Sequence, residues 1–144
     1  PGFIKRAMSQ IKIKKLFSKS NNLGKIMRIM KESDENFKRF GEVYVTSIKA
    51  NLFKGWKNHK LNTTNLVVLN GKVKFIIFDK NLKKEECHIL DYSSGKLITI
   101  PPGYWFGMKN LSIRESLILN FSDYEHNPNE VISKDIKFIE SRNI

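Results

Sequence analysis

From residue 41 onward the sequence consists of short runs of β-branched and aromatic residues, each followed by a turn signal. The strongest signal is Asn70-Gly71, because this dipeptide favours the two-residue turn of a β-hairpin. Short strands at this spacing, without a sustained helical period, predict an all-β sandwich or barrel. One stretch, 26–40, is a helix candidate, although its apolar residues have no clean periodicity. The predicted strands are 43–49, 52–57, 63–69, 72–79, 86–91, 96–100, 104–108 and 112–121.

The length of 144 residues suits a single domain with a real hydrophobic core. The longest uninterrupted apolar runs, such as 66–69 and 75–78, are far shorter than the roughly 20 residues of a membrane-spanning helix. No secretory signal pattern is found, and the single cysteine, Cys87, excludes an internal disulfide. We therefore expect a cytoplasmic protein with no membrane partner. Residues 1–7 are interpreted as a remnant of expression cloning, and residues 8–144 as the domain.

The net charge of +12 raises the question of a nucleic-acid partner. Residues 1–60 contain 15 lysines and arginines against 4 acidic residues, so most of the excess lies in the N-terminal part. However, the chain has 21 lysines and only 5 arginines, together with 17 isoleucines and 14 asparagines. These are residues of AT-rich codons, so genome composition explains much of the charge. Because arginine, which makes bidentate base and phosphate contacts, is scarce, a basic nucleic-acid-binding barrel is the weakest of three hypotheses.

Two segments carry recognisable motifs. Residues 54–60 read K-G-W-K-N-H-K, and residues 95–110 read G-x5-P-P-G-Y-W-F-x3-N. The second segment resembles the second motif of the cupin superfamily, G-x5-P-x-G-x2-H-x3-N, with Phe106 at the position of its histidine. The resemblance implies a double-stranded β-helix, which is a small jelly-roll barrel with a ligand pocket in its mouth.

The metal ligands of cupins are mostly replaced in this sequence. Metal-dependent cupins use two histidines in H-x-H, a downstream glutamate and the histidine of the second motif. Here the first pair is Lys57 and His59, no acidic residue lies between 59 and 71, and Phe106 stands at the last position. Lysine and phenylalanine do not replace imidazole as ligands of a divalent cation. We therefore expect neither a catalytic metal nor another cofactor.

Among cupins, the sequence is similar to two metal-free families that act on deoxythymidine-diphosphate (dTDP) 4-keto-6-deoxy sugars. The 3,5-epimerases carry R-G-x-H, and their three catalytic positions correspond to Lys57, Thr64 and a site near Leu119, so all three are replaced. The 3,4-ketoisomerases carry R-G-x-H-x-H-K followed by I-P-P-G-x-W, and of their two histidines His59 remains. The resemblance covers about residues 41–135 and implies a homodimer, for which the alternating strand 43–49 is suited.

The residues themselves are compatible with this chemistry. Moving a carbonyl, or inverting the carbon beside it, requires a base with a pKa near neutrality and a donor that stabilises the enolate. Histidine has such a pKa, and residues two apart on a strand share a face. We therefore assign His59 and Lys57 as catalytic candidates. The candidates for substrate binding are Lys54, Trp56, Lys60, Thr64, Asn65, Tyr104 and Trp105.

The leading hypothesis is a nucleotide-sugar-binding cupin that isomerises or epimerises a 4-keto-6-deoxy sugar nucleotide, with a dTDP-sugar as its partner, in polysaccharide biosynthesis. The alternative is a catalytically silent cupin that binds sugar nucleotide or glycan in the same pathway.

Overall fold

The structure is a computed structural model that describes residues 10–135, 137 and 139, so the predicted remnant at 1–7 lies outside the described residues. No α-helix occurs within this part of the chain. Accordingly, none of these residues forms a helix with the length and hydropathy to cross a membrane. The strands are β1 (Lys12–Lys15), β2 (Ser18–Asn21), β3 (Gly24–Met27), β4 (Glu42–Ile48), β5 (Phe53–His59), β6 (Thr64–Asn70), β7 (Lys72–Phe78), β8 (Glu85–Asp91), β9 (Lys96–Ile100), β10 (Trp105–Asn110), β11 (Ser116–Ser122) and β12 (Val131–Ser133).

The strands form two five-stranded antiparallel sheets and a separate hairpin. The first sheet has the order β1-β9-β6-β11-β4, and the second has the order β12-β5-β10-β7-β8. Within the described residues, β2 and β3 pair with each other and with no other strand. Strands that are distant in sequence lie side by side in both sheets, as expected for a jelly roll. The predicted fold class, a single cupin barrel, is confirmed.

The core lies between the two sheets and follows the two-residue period of the strands. Leu66 and Val68 of β6 face Phe75 and Ile77 of β7, and all four are almost fully buried. Ile118 of β11 is fully buried in the same cluster. Intervening residues pack on the outer faces of the sheets, where they form two smaller apolar clusters.

The predicted helix at 26–40 is wrong. After β3 the chain runs without regular structure as a strap, 28–41, over the outer face of the first sheet. Met30 packs there with Val67 and Leu97, and the ring of Phe37 lies 6.0 Å from that of Phe121. The outer face of β6, β9 and β11 is apolar, so an extended strap covers it with residues that lack a 3.6-residue period.

The asparagine of the cupin motif, Asn110, is a structural residue. Its side chain is fully buried, and Nδ2 donates to the carbonyl oxygens of Ile48 (2.9 Å) and Arg114 (2.8 Å). Oδ1 accepts a hydrogen bond from the Ser112 backbone N–H at 2.8 Å. One side chain therefore joins the end of β4 to the loop between β10 and β11.

Replacing Asn110 with alanine should lower the free energy of unfolding by about 3 kcal/mol, because buried backbone groups lose their hydrogen-bond partners. The control is Asn70→Ala, which removes an exposed side chain that donates to the Glu115 carbonyl. This control should cost less than about 1 kcal/mol. Urea unfolding of both variants measures the difference, and equal losses would contradict the structural role of Asn110.

Candidate active site

An irregularity in the pairing of β5 with β10 determines which β5 residues face the interior. Lys57 is opposite Phe106, but Gly55 is opposite Gly107, so Trp56 is an extra residue in β5. Such a bulge changes the alternation of side chains along the strand. Opposite residues of antiparallel strands share a face, so Lys57 and Lys54, which is opposite Met108, both face inward.

These inward residues border a cavity of about 250 Å³ between the two sheets. β5 contributes basic residues to one wall, and the first sheet contributes polar residues to the other. The floor includes Phe106 and Met108 of β10. The polar residues of the walls are Lys54, Lys57 and His59 of β5, Tyr44 and Thr46 of β4, and Asn120 of β11, and Ser133 and Lys134 also border the cavity.

His59 forms a close pair with the carboxylate of Glu130. Nδ1 of His59 lies 2.9 Å from Oε2 of Glu130, and the side chains are 13% and 4% exposed. The imidazole also lies nearly parallel to the ring of Phe106, with the ring centroids 6.1 Å apart. The carboxylate and the aromatic ring together fix the position and tilt of the imidazole.

Glu130 is in turn held by the chain that follows β5. Oε1 accepts hydrogen bonds from the backbone N–H groups of Leu61 (3.0 Å) and Asn62 (2.8 Å). Burial raises the pKa of this carboxyl, but the hydrogen bonds from Asn62, His59 and Leu61 outweigh it, so the net pKa lies below its ordinary value. Glu130 is therefore ionised at neutral pH.

The ionised partner determines the tautomer of His59. A carboxylate only accepts hydrogen bonds, so Nδ1 of a neutral His59 carries the proton and Nε2 carries the lone pair. This arrangement prepares Nε2 to accept a proton. The same carboxylate can stabilise an imidazolium at this position.

The electrostatics of the cavity favour an anionic ligand. Lys54 and Lys57 border it from β5, and Lys134 borders it from the segment after β12. Tyr44 adds a hydroxyl, and desolvation raises the pKa of this phenol above its ordinary value. A protonated Tyr44 can donate a hydrogen bond to an oxygen that gains negative charge.

The structure brings four of the predicted site residues to the cavity: Lys54, Trp56, Lys57 and His59. Trp56 borders it although its side chain is fully buried. Its indole packs with Phe53 in an aromatic cluster, the ring centroids being 5.0 Å apart.

The other five predicted residues do not border this cavity. Lys60 is exposed, and Thr64 is buried in the interior. Asn65 is on the outer face, because adjacent residues of a strand face opposite sides; there it accepts a hydrogen bond from the strap. Tyr104 lines a separate cavity beside the Pro-Pro-Gly turn, and Trp105 packs in the outer aromatic cluster.

Sequence reasoning missed Glu130 and Tyr44. Glu130 is 71 positions from His59 and follows a turn, so no local spacing connects the two residues. Tyr44 was visible only as a member of an alternating strand. The one sequence signal for Glu130 was its position directly before the short β-branched run 131–132. In the structure this run pairs with the end of β5 that contains His59.

Within residues 10–135, 137 and 139, no cluster of three or more His, Cys, Asp or Glu side chains could hold a metal ion. The groups around the cavity are instead ammonium, imidazole, phenol, amide and hydroxyl groups. Lysine ammonium groups repel a divalent cation, so the donor set of the cavity does not fit one.

Comparisons with known proteins identify the family of this chain. A family model described as "FdtA: WxcM-like, C-terminal" matches residues 8–143. The chain belongs to this FdtA family. No curated protein matches this chain.

Several solved structures share the fold of this FdtA-family chain. A dTDP sugar isomerase from Desulfovibrio desulfuricans has a TM-score of 0.84 at 23% identity, over 92% of this chain and 89% of that chain. The sugar 3,4-ketoisomerase QdtA from Thermoanaerobacterium thermosaccharolyticum, in complex with TDP, has a TM-score of 0.75 at 19% identity, over 89% of this chain and 90% of that chain. A dTDP-4-dehydrorhamnose 3,5-epimerase from Elizabethkingia anophelis has a TM-score of 0.76 at 14% identity, over 93% and 80%. At these identities the likeness establishes the fold.

The lowered pKa of Glu130 predicts a pH-dependent contribution to stability. Because the folded pKa lies below the usual 4.5, the contribution is present above that pH and is lost as the pH falls through the folded pKa. Glu130→Gln should therefore be less stable than the original protein at pH 7, and the gap should close towards pH 3. Urea unfolding across this range measures the gap.

Glu125→Gln, at an exposed position, is the control and should show no such closing gap. The Asp123 carboxyl, whose pKa is raised by burial, titrates in all three proteins and cancels in the comparison. A gap for Glu130→Gln that stays constant down to pH 3 would contradict the assignment.

Proposed function

We propose that this protein is a metal-independent isomerase that moves the carbonyl of a 4-keto-6-deoxy sugar nucleotide to the adjacent carbon. The observation that carries the proposal is the pairing of His59 with the ionised Glu130 at a cavity that also contains Lys54 and Lys57. The ligand class is supported by solved neighbours described as complexes with TDP and with TDP-4-keto-6-deoxyglucose.

The proposed reaction needs one base, one donor and no redox partner. Nε2 of His59 removes the proton from the hydroxyl-bearing carbon next to the ketone, and the electron pair shifts to the ketone oxygen as an enediolate. The ammonium of Lys57 and the hydroxyl of Tyr44 stabilise this oxygen. Protonated His59 then returns the proton to the former carbonyl carbon, and the proton of the neighbouring hydroxyl passes to the former ketone oxygen, so the ketone has moved by one carbon.

The cavity of about 250 Å³ has room for a sugar ring but not for a whole nucleotide sugar. The diphosphate therefore lies towards the mouth, where Lys54 is exposed and Lys134 is nearby. Cations at the mouth of a cleft of low dielectric bind an anion more strongly than cations on an open surface.

The positions of the epimerase residues favour carbonyl migration over 3,5-epimerisation. The position that corresponds to the epimerase tyrosine lies near Leu119, whose side chain packs on the outer face of the first sheet. Thr64, at the position of the epimerase lysine, does not border the cavity. The cavity does contain a phenol that can donate a proton or a hydrogen bond, that of Tyr44. It lies on β4, not at the position of the epimerase tyrosine.

His59→Gln should slow the exchange of substrate hydrogen with solvent deuterium at least about 100-fold, because the general base is lost. Affinity for dTDP should change less than about twofold, because the diphosphate contacts remain. Lys54→Gln should show the reverse, with dTDP affinity lowered about tenfold by the loss of one charge-assisted contact. Mass spectrometry with dTDP-4-keto-6-deoxyglucose in deuterated water measures exchange, and calorimetry measures affinity.

Two matched controls are available. His88 also pairs with a carboxylate, Glu86 at 2.9 Å, but lies on β8 outside the cavity, so His88→Gln should exchange at the original rate. Lys60→Gln should bind dTDP normally. A protein that binds dTDP without any exchange would support the catalytically silent alternative. Exchange at the original rate in His59→Gln would refute the proposed base.

We further propose that the protein works in the cytoplasm, in polysaccharide biosynthesis, as a homodimer formed through β4. This strand pairs with β11 along one edge, and no other strand of the described part of the chain pairs with its second edge. Val43 and Val45 are 46% and 53% exposed, which is unusual for valine on a sheet edge in water. Extension of the sheet by a second copy would cover them.

Light scattering at tens of micromolar should therefore give the mass of a dimer. The double variant Val43→Lys, Val45→Lys should shift it to a monomer, because charged side chains on an edge oppose strand pairing. Lysines at Ile89 and Ile132, two other exposed strand positions, serve as the control and should leave the dimer intact. A monomer in the original protein would contradict this proposal.

A further inference from the structure

Glu130, the partner of His59, lies at the end of the loop between β11 and β12, which we call the Glu130 loop (123–130). This loop lies against the turn between β5 and β6 (60–63). At the start of the loop, Oδ2 of Asp123 accepts the backbone N–H of the last turn residue at 3.1 Å. At its end, the Glu130 carbonyl oxygen accepts the N–H of the first turn residue at 2.8 Å. The turn therefore contacts both ends of the loop.

The side chain of Asn62, in the middle of this turn, joins the same two ends. Asn62 is 4% exposed. Its Oδ1 accepts the backbone N–H of Tyr124 at 2.8 Å, and its Nδ2 donates to Oε2 of Glu130 at 3.3 Å. An amide has both an acceptor and a donor, whereas a carboxylate has no donor and an alkyl group has neither. Aspartate and leucine, which have a similar shape, could therefore not make both contacts.

The carboxylate of Glu130 receives four hydrogen bonds. Oε1 accepts the backbone N–H groups of Leu61 at 3.0 Å and Asn62 at 2.8 Å. Oε2 lies 2.9 Å from Nδ1 of His59 and also accepts Nδ2 of Asn62. A carboxylate has about four lone-pair sites, so these donors occupy its capacity to accept hydrogen bonds. Because the amide and the imidazole share Oε2, the amide holds the oxygen to which the imidazole donates.

We propose that Asn62 is a positioning residue, whose side-chain amide holds Oε2 of Glu130 so that a neutral His59 carries its proton on Nδ1. The inference rests on the proposed isomerase activity for the role of Nε2 as the base. Asn62 does not border the cavity, so it acts through Glu130 and not on the ligand.

The physical reason is that the hydrogen bond at one ring nitrogen of a histidine decides which nitrogen carries the proton. The last side-chain torsion of a glutamate has a broad range. A carboxylate that loses one of its donors can therefore turn away from the imidazole. Part of the His59 population would then carry the proton on Nε2, where it blocks the lone pair that the proposed base needs.

Nitrogen NMR of the full protein without ligand tests the proposal independently of turnover. At pH 9 the original protein should show neutral His59 with its proton on Nδ1. Asn62→Ala should show a mixture, with at least about one fifth of His59 protonated on Nε2. The variant His59→Gln assigns the signals, and His88 and His126 are internal references that should not change.

Asn62→Asp separates the donor from the shape of the side chain. The variant keeps an acceptor for the Tyr124 N–H but replaces the amide nitrogen beside Glu130 with a second carboxyl oxygen. Two carboxyl groups this close raise the pKa of one of them. While the new carboxyl is protonated, it can donate to Oε2 as the amide does, and once ionised it repels Glu130.

The deuterium-exchange rate of Asn62→Asp, divided by that of the original protein, should therefore be near one at pH 6 and fall about tenfold by pH 9. The neighbouring ionisable groups His59, Tyr44 and Asp123 are present in both proteins and cancel in this ratio. Affinity for dTDP should change less than about twofold, because Asn62 does not border the cavity.

Asp123→Asn is the matched control. It removes a buried carboxyl from the same loop, and its amide oxygen can still accept the Thr63 N–H. Its exchange rate relative to the original protein should stay constant from pH 6 to pH 9, and His59 should keep the Nδ1 proton.

A constant ratio for Asn62→Asp over this pH range would overturn the proposal, because damage from a lost shape does not depend on pH. A pure Nδ1 tautomer in Asn62→Ala would also overturn it. A mixture of tautomers in Asn62→Ala, together with no exchange by the original protein, would support the positioning role and refute the proposed reaction.

Discussion

The antiparallel pairing of β5 with β10 is the constraint on which the whole site depends. It supplies the wall of the cavity, and its extra residue at Trp56 places Lys54 and Lys57 on the same side although they are three positions apart. The indole of that extra residue is anchored in an aromatic cluster on the opposite face. A large buried side chain thus maintains the irregularity that exposes the basic residues to a ligand.

Much of the architecture was predictable because its signals are local. Asn70-Gly71 indicated the hairpin of β6 and β7, and the G-x5-P-P-G segment indicated a cupin barrel, which the structure confirms. The stretch 26–40 was a helix candidate although its apolar residues have no clean helical period, and the structure instead has the end of β3 followed by the strap at 28–41. Tertiary packing decided otherwise: the face that Met30 and Phe37 cover belongs to strands far away in sequence.

The site was only partly predictable for the same reason. His59 and Lys57 stand two apart in one strand, so their common face could be derived from the sequence. Glu130 joins them through the pairing of β12 with β5, a contact between distant parts of the chain. Asn65 was predicted to bind substrate, but its side chain lies on the outer face of the sheet, because it is adjacent in the strand to an inward-facing residue. The two-residue period of a strand predicts which of its side chains share a face. It does not predict which distant carboxylate pairs with the imidazole.

The position of Glu130 in the chain also has a consequence for biosynthesis. Every strand of the two main sheets except β12 precedes it, so a nascent chain can assemble most of the barrel before this carboxylate has left the ribosome. During that interval His59 has no carboxylate partner at Nδ1, and the N–H groups of Leu61 and Asn62 lack the Glu130 acceptor. A barrel that forms in this order orients the imidazole of His59 only when the segment that carries Glu130 docks.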